Sequence, residues 1–315
     1  MRRVDHWKSL FVGACSVAVF AQSAPPQAPQ VQDWEKAAGG KNAFEVASVK
    51  LDSGPSRPSN VPLDTGDAFR PVGDRFSADS SVFTYIRFAY KVGLFSATGA
   101  GSAAPAIRKA MQMPDWVMSE RYAIEARADG TSTKDQMRLM MQSLLAERFG
   151  FKAHFEERTL PAFALELVNP GKTGPKLRPH SEGVPCDETP AKVDFSKLFP
   201  PVCGTPAYRP MMQGSNRVTQ GGWRNTTLAE MAEGLPGMGS VDRPMVDRTG
   251  LEGRYDFTIQ FAPDSGFLPA SDAAADLPGS TFIQALRDQL GLKLESVKAD
   301  IRLLVIDHIE RPGGN

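Results

Sequence analysis

Acidic and basic side chains cluster around one turn in the last third of the chain. Asp247 and Asp256 flank this turn, and Arg254 and Tyr255 lie between them. Two carboxylates held together could share a proton or position a water molecule, as acid–base hydrolysis requires. Arg248 and Arg254 are equally close in sequence and could pair with these carboxylates, which is the simpler interpretation. We therefore treat the turn as a possible functional surface without an assigned catalytic role.

Histidine, the commonest acid–base group, is scarce. The chain has four histidines, and His308 is added to the possible surface because it lies beside Asp307 near the end of a predicted strand. Neighbouring residues of a strand point to opposite faces, so Asp307 cannot orient the His308 ring as a catalytic carboxylate would. We therefore favour a structural role for His308.

Motifs that identify common catalytic or cofactor sites are absent from the sequence. It contains no GxSxG, SxxK, HExxH, P-loop or helix-opening GxGxxG. No catalytic residue is assigned and no cofactor is expected. The balance of 36 basic and 36 acidic residues argues against a general nucleic-acid-binding protein, which would normally carry a basic face.

The first residues predict export to the periplasm or the exterior. Basic residues precede an apolar run from Leu10 to Ala21, which is too short to span a bilayer and ends in Val19-Phe20-Ala21, with the small residue Ala21 at the expected cleavage site. We expect a signal peptide over 1–21 and a disordered, Pro-rich lead-in over 22–43, with no membrane span in the mature chain. Lipidation at Cys15 is the alternative, but the residues before it match that signal poorly.

Two later segments resemble each other at an offset of 141 residues. Gly150 and Gly291 each follow a predicted amphipathic helix and precede alternating apolar residues. Upstream, Tyr122 and Tyr255 begin matching strands. The pattern predicts an α+β fold of duplicated strand–helix–strand–strand units, forming small, mostly antiparallel sheets with helices packed on one face. Chance similarity of short amphipathic units is the alternative.

The repeat divides the chain into two α+β halves, 44–170 and 216–315. Between them, 171–215 is Pro-rich and is expected to be a loop region. It contains Cys186 and Cys203, the only cysteines left after export, and two such cysteines most often form a disulfide. Two free thiols or a metal site are the alternatives; the metal site is disfavoured because no CxxC pair exists and His180 is the only histidine nearby.

Several blocks of sequence carry a resemblance to a known group of proteins. Beside the exported leader, they are Phe44–Lys50, Met140–Phe149, Gly174–Leu177, Val246–Phe257, Leu290–Glu295 and Val305–Pro312. In this order they resemble a large family of uncharacterised exported proteins of soil acidobacteria, a domain of unknown function with many paralogues per genome. The resemblance implies no reaction, cofactor or catalytic residue. A weaker likeness, in element order alone, is to the short N-terminal modules of secretins and TonB-dependent receptors.

Two functions from different classes remain open. The favoured one is a non-catalytic binding or assembly module, in which an exposed sheet edge accepts a strand from an unidentified protein or cell-envelope partner. The alternative is a hydrolase with its site in the cleft between the halves. A deep pocket with converging polar groups would favour the hydrolase, and an open edge strand would favour the module.

Overall fold

The computed structural model describes residues 32–40, 42–55, 57–67, 69, 73–93, 105–183, 186, 199–200, 202–214, 216–262 and 280–313. The expected signal peptide lies outside the described residues. The helices are α1 (Asp33–Ala37), α2 (Val82–Tyr90), α3 (Pro105–Ala110), α4 (Trp116–Ser119), α5 (Lys134–Phe149), α6 (Leu228–Met238) and α7 (Phe282–Ala285), which continues as a π-helical turn, Leu286–Leu290. The strands are β1 (Val46–Leu51), β2 (Arg75–Ser81), β3 (Arg121–Arg127), β4 (Lys152–Leu167), β5 (Leu177–Pro179), β6 (Ala207–Gln213), β7 (Asn216–Thr226), β8 (Met245–Asp247), β9 (Tyr255–Phe261) and β10 (Leu292–His308).

The strands form three small sheets, so the predicted α+β class is confirmed. The first sheet has the order β1-β3-β2 and the second the order β5-β9-β7-β6, and both are antiparallel. The third joins the two halves: β10 pairs with β4 along their whole length, and β8 adds in parallel to the far end of β4. We call the β4–β10 pair the ribbon.

One detail of the predicted unit is wrong. Two strands were expected after each helix, but the structure has a single continuous strand in each place, β4 and β10. No glycine interrupts either segment, so neither contains the residue that most readily supplies the positive φ of a tight hairpin turn. Pro161 is accommodated within β4 because its nitrogen lies on the β8 side, where pairing begins only at Phe163.

The ribbon has an approximate two-fold axis that relates the two copies. Ala153 pairs with Ile306, and their counterparts at the 141-residue offset, Leu294 and Leu165, also pair. Thr159 pairs with its own counterpart, Asp300, at the centre of the ribbon. This symmetry supports the duplication.

The glycines that open the ribbon strands are also equivalent. Gly150 ends α5 with a φ of 59°, and Gly291 ends the π-helical turn with a φ of 72°. Both helix ends therefore need the left-handed conformation that glycine adopts readily. The order strand, helix, glycine, strand is the same in both copies.

Each copy also has a matching sheet in front of its helix. The amide of Asp52, at the end of β1, donates to the carbonyl of Arg121, and the amide of His180, after β5, donates to that of Arg254. β5 therefore corresponds to β1, as β9 does to β3 and β7 to β2. The repeated unit is larger than the sequence pattern indicated.

Two apolar cores lie on the two ends of the ribbon. The first contains α5 with the last part of β10, including Leu303 and Val305, and the second contains the π-helical turn with Leu165 of β4. Each core thus uses the long strand of the other copy. Burial of this apolar surface is the main contribution to stability, and the shared ribbon makes the halves interdependent.

Regions expected to be irregular contribute ordered elements. Residues 33–37 of the predicted lead-in form α1, where buried Glu35 accepts a 2.7 Å hydrogen bond from the side chain of Gln142. Within 171–215 lie β5 and β6, which pair with strands of the second half. The predicted disulfide is present between Cys186 and Cys203, whose Cα atoms are 5.8 Å apart.

A charged cluster holds a loop of the first half against α5. The fully buried guanidinium of Arg138 binds Asp67, Asp135 and the carbonyl oxygens of Asp64 and Gly66. Lys134 pairs with the Asp64 carboxylate.

No helix in the described ranges is long and apolar enough to cross a membrane.

Candidate functional site

The five residues of the possible surface are not gathered at one point. Tyr255 is buried in the second core, and Asp247 accepts hydrogen bonds from the amide and hydroxyl of Thr249. His308 lies at the opposite end of the ribbon, beside Gly150, where its Nε2 is 3.8 Å from Glu310. Of the five, only Arg254 and Asp256 share a hydrogen-bond partner, which is Asn225.

Arg254 and Asp256 both hold a bulge in β7. Asn225 has a φ of 55° there, and its amide donates a 2.8 Å hydrogen bond to the Asp256 carboxylate. Arg254 donates from Nε to the Asn225 side-chain oxygen at 2.6 Å and pairs with Glu230 at 3.1 Å. Within the described residues, the two side chains bind the bulge and these partners instead of each other.

Asp256 also orients a histidine that carried no assigned role in the sequence. Its Oδ1 lies 2.6 Å from Nδ1 of His180, and Nε2 of the same ring lies 3.4 Å from the sulfur of Cys186. Gly183 lets the chain pass close to this pair, because a Cβ there would lie 2.3 Å from the Asp256 carboxylate. His180 follows β5 in a 3-10 turn, His180–Glu182, and β5 pairs with β9, which carries Asp256.

A basic pocket of about 320 Å³ lies beside this pair. It is lined by Lys176, Arg178, Glu182, Gly183, Phe199, Arg224, Asp256, Phe257 and Thr258. His180 is not among these described lining residues, since its Nε2 is directed at the disulfide. The imidazole is therefore poorly placed to act as a general base on a molecule in the pocket.

A second pocket, of about 260 Å³, lies between the halves. The loop around Asp64 and the helix residue Arg87 line it from the first half, and Tyr208, Trp223, Glu230 and Glu233 from the second. Burial lowers the pKa of Arg87. The protein atoms packed around the Glu233 carboxyl displace water from it and raise its pKa, and the negative charge of Glu230 raises it further. Part of the Glu233 side chain is still exposed to solvent. This inter-half pocket is where the sequence placed the alternative hydrolase site.

The outer edge of β1 is a third candidate site. The amide of Asp52 bonds inward to β3, so by the alternation of an antiparallel pair the amides and carbonyls of Ala47, Val49 and Leu51 point outward. None of the described strands pairs with this side. The side chains of Val46 and Leu51 are 69% and 64% exposed.

A groove of about 230 Å³ runs along this edge. Its walls are the chain from Ala43 to Ala47 and the α5 residues Ser143, Leu144, Glu147 and Arg148. Leu144 is buried and Phe44 half-buried, so the groove has apolar surface beneath a charged rim. Arg148 donates a long hydrogen bond, 3.5 Å, to the carbonyl of Ala47, so this carbonyl points away from β3 and an added strand would share or replace this donor.

Three of the other outer strands, β2, β5 and β6, are protected. The Asn60 amide and side chain bond to Ser77 on the outer side of β2 at 3.0 and 2.8 Å. β5 has only three residues and ends in Pro179, and β6 contains Pro210. Short strands and prolines are common devices against unwanted strand pairing. β2 and β10 are longer outer strands without proline, but Asn60 bonds to the outer side of β2, and the amide of Ile306 on the outer side of β10 donates to the carbonyl of Met111 at 2.9 Å.

Sequence reasoning missed His180 and the β1 edge for different reasons. The sequence placed His180 six residues before Cys186, but its pairing with Asp256 depends on β5 lying next to β9. The sequence predicts a strand over Phe44–Lys50, but which strand is outermost depends on the strand order. A search for proline-free strands of adequate length would have favoured β1 over β6.

Comparison with known proteins identifies a family without adding a function. No curated protein and no solved structure matches the chain significantly. A family model described as "Protein of unknown function (DUF3738)" matches residues 84–309, which include α5, the ribbon and the second sheet. That match covers well over half of the chain, and the protein therefore belongs to the DUF3738 family of proteins of unknown function.

Proposed function

We propose that this protein is an exported, non-catalytic binding module that accepts an extended segment of a partner protein at the outer edge of β1. The observation that carries the proposal is the row of outward backbone groups at Ala47, Val49 and Leu51, flanked by exposed apolar side chains. Export is supported by the leader sequence and by the resemblance to exported acidobacterial proteins. Amino-terminal sequencing of the mature protein should begin near Gln22; a mature chain that keeps Met1 would contradict export.

The edge and its groove define the chemistry of the partner segment. An added strand would satisfy the outward amides and carbonyls, and alternate side chains would point into the groove toward Leu144 and Phe44. The expected occupant is an extended peptide with apolar residues at alternate positions and no proline between them. Glu147 and Arg148 at the rim would favour polar or oppositely charged flanking residues.

Selection from a random nine-residue peptide library tests the proposal. We expect the mature chain to enrich alternating apolar sequences. Replacing Val46 and Leu51 together by lysine should weaken binding of a selected peptide by about tenfold or more, because charged side chains on an edge strand oppose strand addition.

The matched control makes the same change on another edge strand, β6. Tyr208 and Met212 on β6 are 53% and 65% exposed, and their double lysine variant should bind the peptide within about twofold of the unaltered chain. Equal loss in both variants would indicate non-specific apolar binding and overturn the proposal. So would failure of the library to yield any specific peptide.

The inter-half pocket supports a second candidate function, hydrolysis. The specific observation is Glu233, whose pKa is raised and whose carboxyl lines a pocket that also holds Glu230 and Arg87. A protonated Glu233 could donate to a leaving group while a second carboxylate positions water. A panel of chromogenic esters and glycosides tests this function. Turnover that is abolished in Glu233→Gln and unchanged in Glu182→Gln would support a hydrolase. If no substrate is turned over, the hydrolase hypothesis is wrong.

A further inference from the structure

Three side chains that bind metals well converge beside the basic pocket. The metal-binding atoms of His180, Cys186 and Cys203 all lie within 4.8 Å of one another, and all three residues are half-buried. In this structure the two sulfurs are joined in a disulfide, so they offer no thiolate to a metal. Partial exposure means that a reductant can reach them.

The histidine of this cluster is held in the orientation of a metal ligand. Asp256 binds Nδ1 at 2.6 Å, which leaves Nε2 facing the sulfur of Cys186 at 3.4 Å. The amide of Asn225 fixes the same carboxylate at 2.8 Å. Metal-binding histidines commonly bond through their other nitrogen to a carboxylate, which fixes the tautomer and raises the basicity of the ligand nitrogen.

We propose that reduction of the Cys186–Cys203 disulfide converts this cluster into a zinc site. The ligands are the two thiolates and Nε2 of His180, with water in the fourth position and Asp256 positioning the ring. A dithiol reductant supplies two electrons and two protons, becoming a disulfide while both cysteines become thiols. Zinc then replaces one proton on each thiol, so two protons leave per ion bound.

The geometry requires little movement apart from separation of the sulfurs. Zinc lies about 2.3 Å from sulfur and about 2.0–2.1 Å from nitrogen, so a tetrahedral site places its sulfurs about 3.8 Å apart and each sulfur about 3.6 Å from the nitrogen. The present distance between His180 Nε2 and the Cys186 sulfur is already 3.4 Å. Two thiolates and an imidazole suit zinc and disfavour hard cations such as calcium or magnesium.

Zinc titration of the full exported chain tests the proposal. The chain is reduced with a phosphine, and Co²⁺ is used first as a spectroscopic probe of thiolate coordination, followed by competition with Zn²⁺. We expect one ion per reduced chain and none in the untreated chain. His180→Ala should weaken zinc binding by about a hundredfold or more, and Asp256→Asn by about 10–100-fold.

His154 provides a matched control. It forms a similar pair with Asp307, at 2.9 Å, but lies on the ribbon away from the cysteines. His154→Ala should leave zinc binding unchanged. Near-ultraviolet circular dichroism of the reduced chain and each variant shows whether the fold persists.

For a chain that stays folded, three outcomes would overturn the zinc site. They are a folded, reduced chain that binds no zinc, equal binding by His180→Ala, and equal binding by the untreated chain. If the reduced chain unfolds and still binds zinc, binding that His180→Ala does not change also overturns it. Binding lost in His180→Ala and kept in His154→Ala supports it.

Discussion

The two copies share a backbone plan but differ at their outer strands. In the first copy β1 has six residues and an open outer side, whereas its counterpart β5 has three residues and ends in Pro179. In the second copy the chain after β5 turns inward to place His180 on Asp256, where the first copy has Asp52 and Ala123. The two copies therefore share the ribbon and differ in their flanks.

The comparison separates the features that both copies need for folding from the features that only one copy has. The paired glycines and the ribbon register are the same in both, because each core requires the long strand of the other. The open edge, the basic pocket and the histidine–cysteine cluster each occur in one copy only among the described residues. Features confined to one copy are the better candidates for function.

The charged cluster at Arg138 gives the largest expected effect. Arg138 is fully buried and binds two carboxylates and two carbonyl oxygens of the loop and helix. Arg138→Ala should lower the free energy of unfolding by about 3–4 kcal/mol, because those acceptors lose their donor and a cavity remains. Urea unfolding measures it. A loss below about 1 kcal/mol would show that the loop is not fixed in this way.

Alanine at the two equivalent glycines should have unequal costs. A Cβ at Gly291 would lie 2.5 Å from the backbone nitrogen of Gly174, whereas one at Gly150 would meet only side-chain atoms of Glu310 and His308, at 3.2 Å or more. Both substitutions require a left-handed conformation, which costs about 1 kcal/mol. Gly291→Ala should therefore destabilise by about 3 kcal/mol and Gly150→Ala by about 1 kcal/mol.

Thermal and urea unfolding of both glycine variants measure the difference. Equal costs would mean that Thr173 and Gly174 move aside easily, and that the close contact at Gly291 is not a constraint on the second copy.

Two acids, one in each copy, should contribute to pH dependence with opposite signs. The raised pKa of Glu233 means that the folded chain holds this proton more tightly, so its stabilising contribution is present below the unfolded value of 4.5 and lost as pH rises above it. Bonding to Arg127 lowers the pKa of Asp74, so its contribution is present above 3.8 and lost as pH falls.

Urea unfolding between pH 3 and 7.5 compares Glu233→Gln and Asp74→Asn with the unaltered chain. As pH rises above 4.5, the free energy of unfolding of Glu233→Gln should increase relative to that of the unaltered chain. As pH falls below 3.8, the free energy of unfolding of Asp74→Asn should decrease less than that of the unaltered chain. Both effects should be small, since both side chains contact solvent. Changes of the same sign in the two variants would contradict the assignment.

Local sequence patterns predicted the elements but could not predict their neighbours. The strand predicted to begin at Tyr255 is β9, and the glycines at 150 and 291 identified both helix ends. The continuous ribbon was missed because the residues around Thr159 and Asp300 are mostly charged and include Pro161, types that are depleted in strands. Long-range pairing keeps that segment extended.

The candidate sites also could not be predicted without knowing which strands are neighbours. Asp256 was selected for its charge, yet its partners His180 and Asn225 come from two different neighbouring strands or their ends. The β1 edge is open because β3 lies on its other side and the Asn60 loop covers β2 instead. The hydrophobic pattern of a single segment carries no information about the order of the strands in a sheet.

Hydrogen exchange of the β1 amides tests the central claim most directly. In the mature chain saturated with a selected peptide, strand addition predicts slower exchange at the outward amides of Ala47, Val49 and Leu51. The amides of Ser48 and Lys50 already face β3 and should change much less. This alternation, with β6 unaffected, is the predicted result. Protection confined to β6 or to the inter-half pocket, with β1 unchanged, would contradict the account.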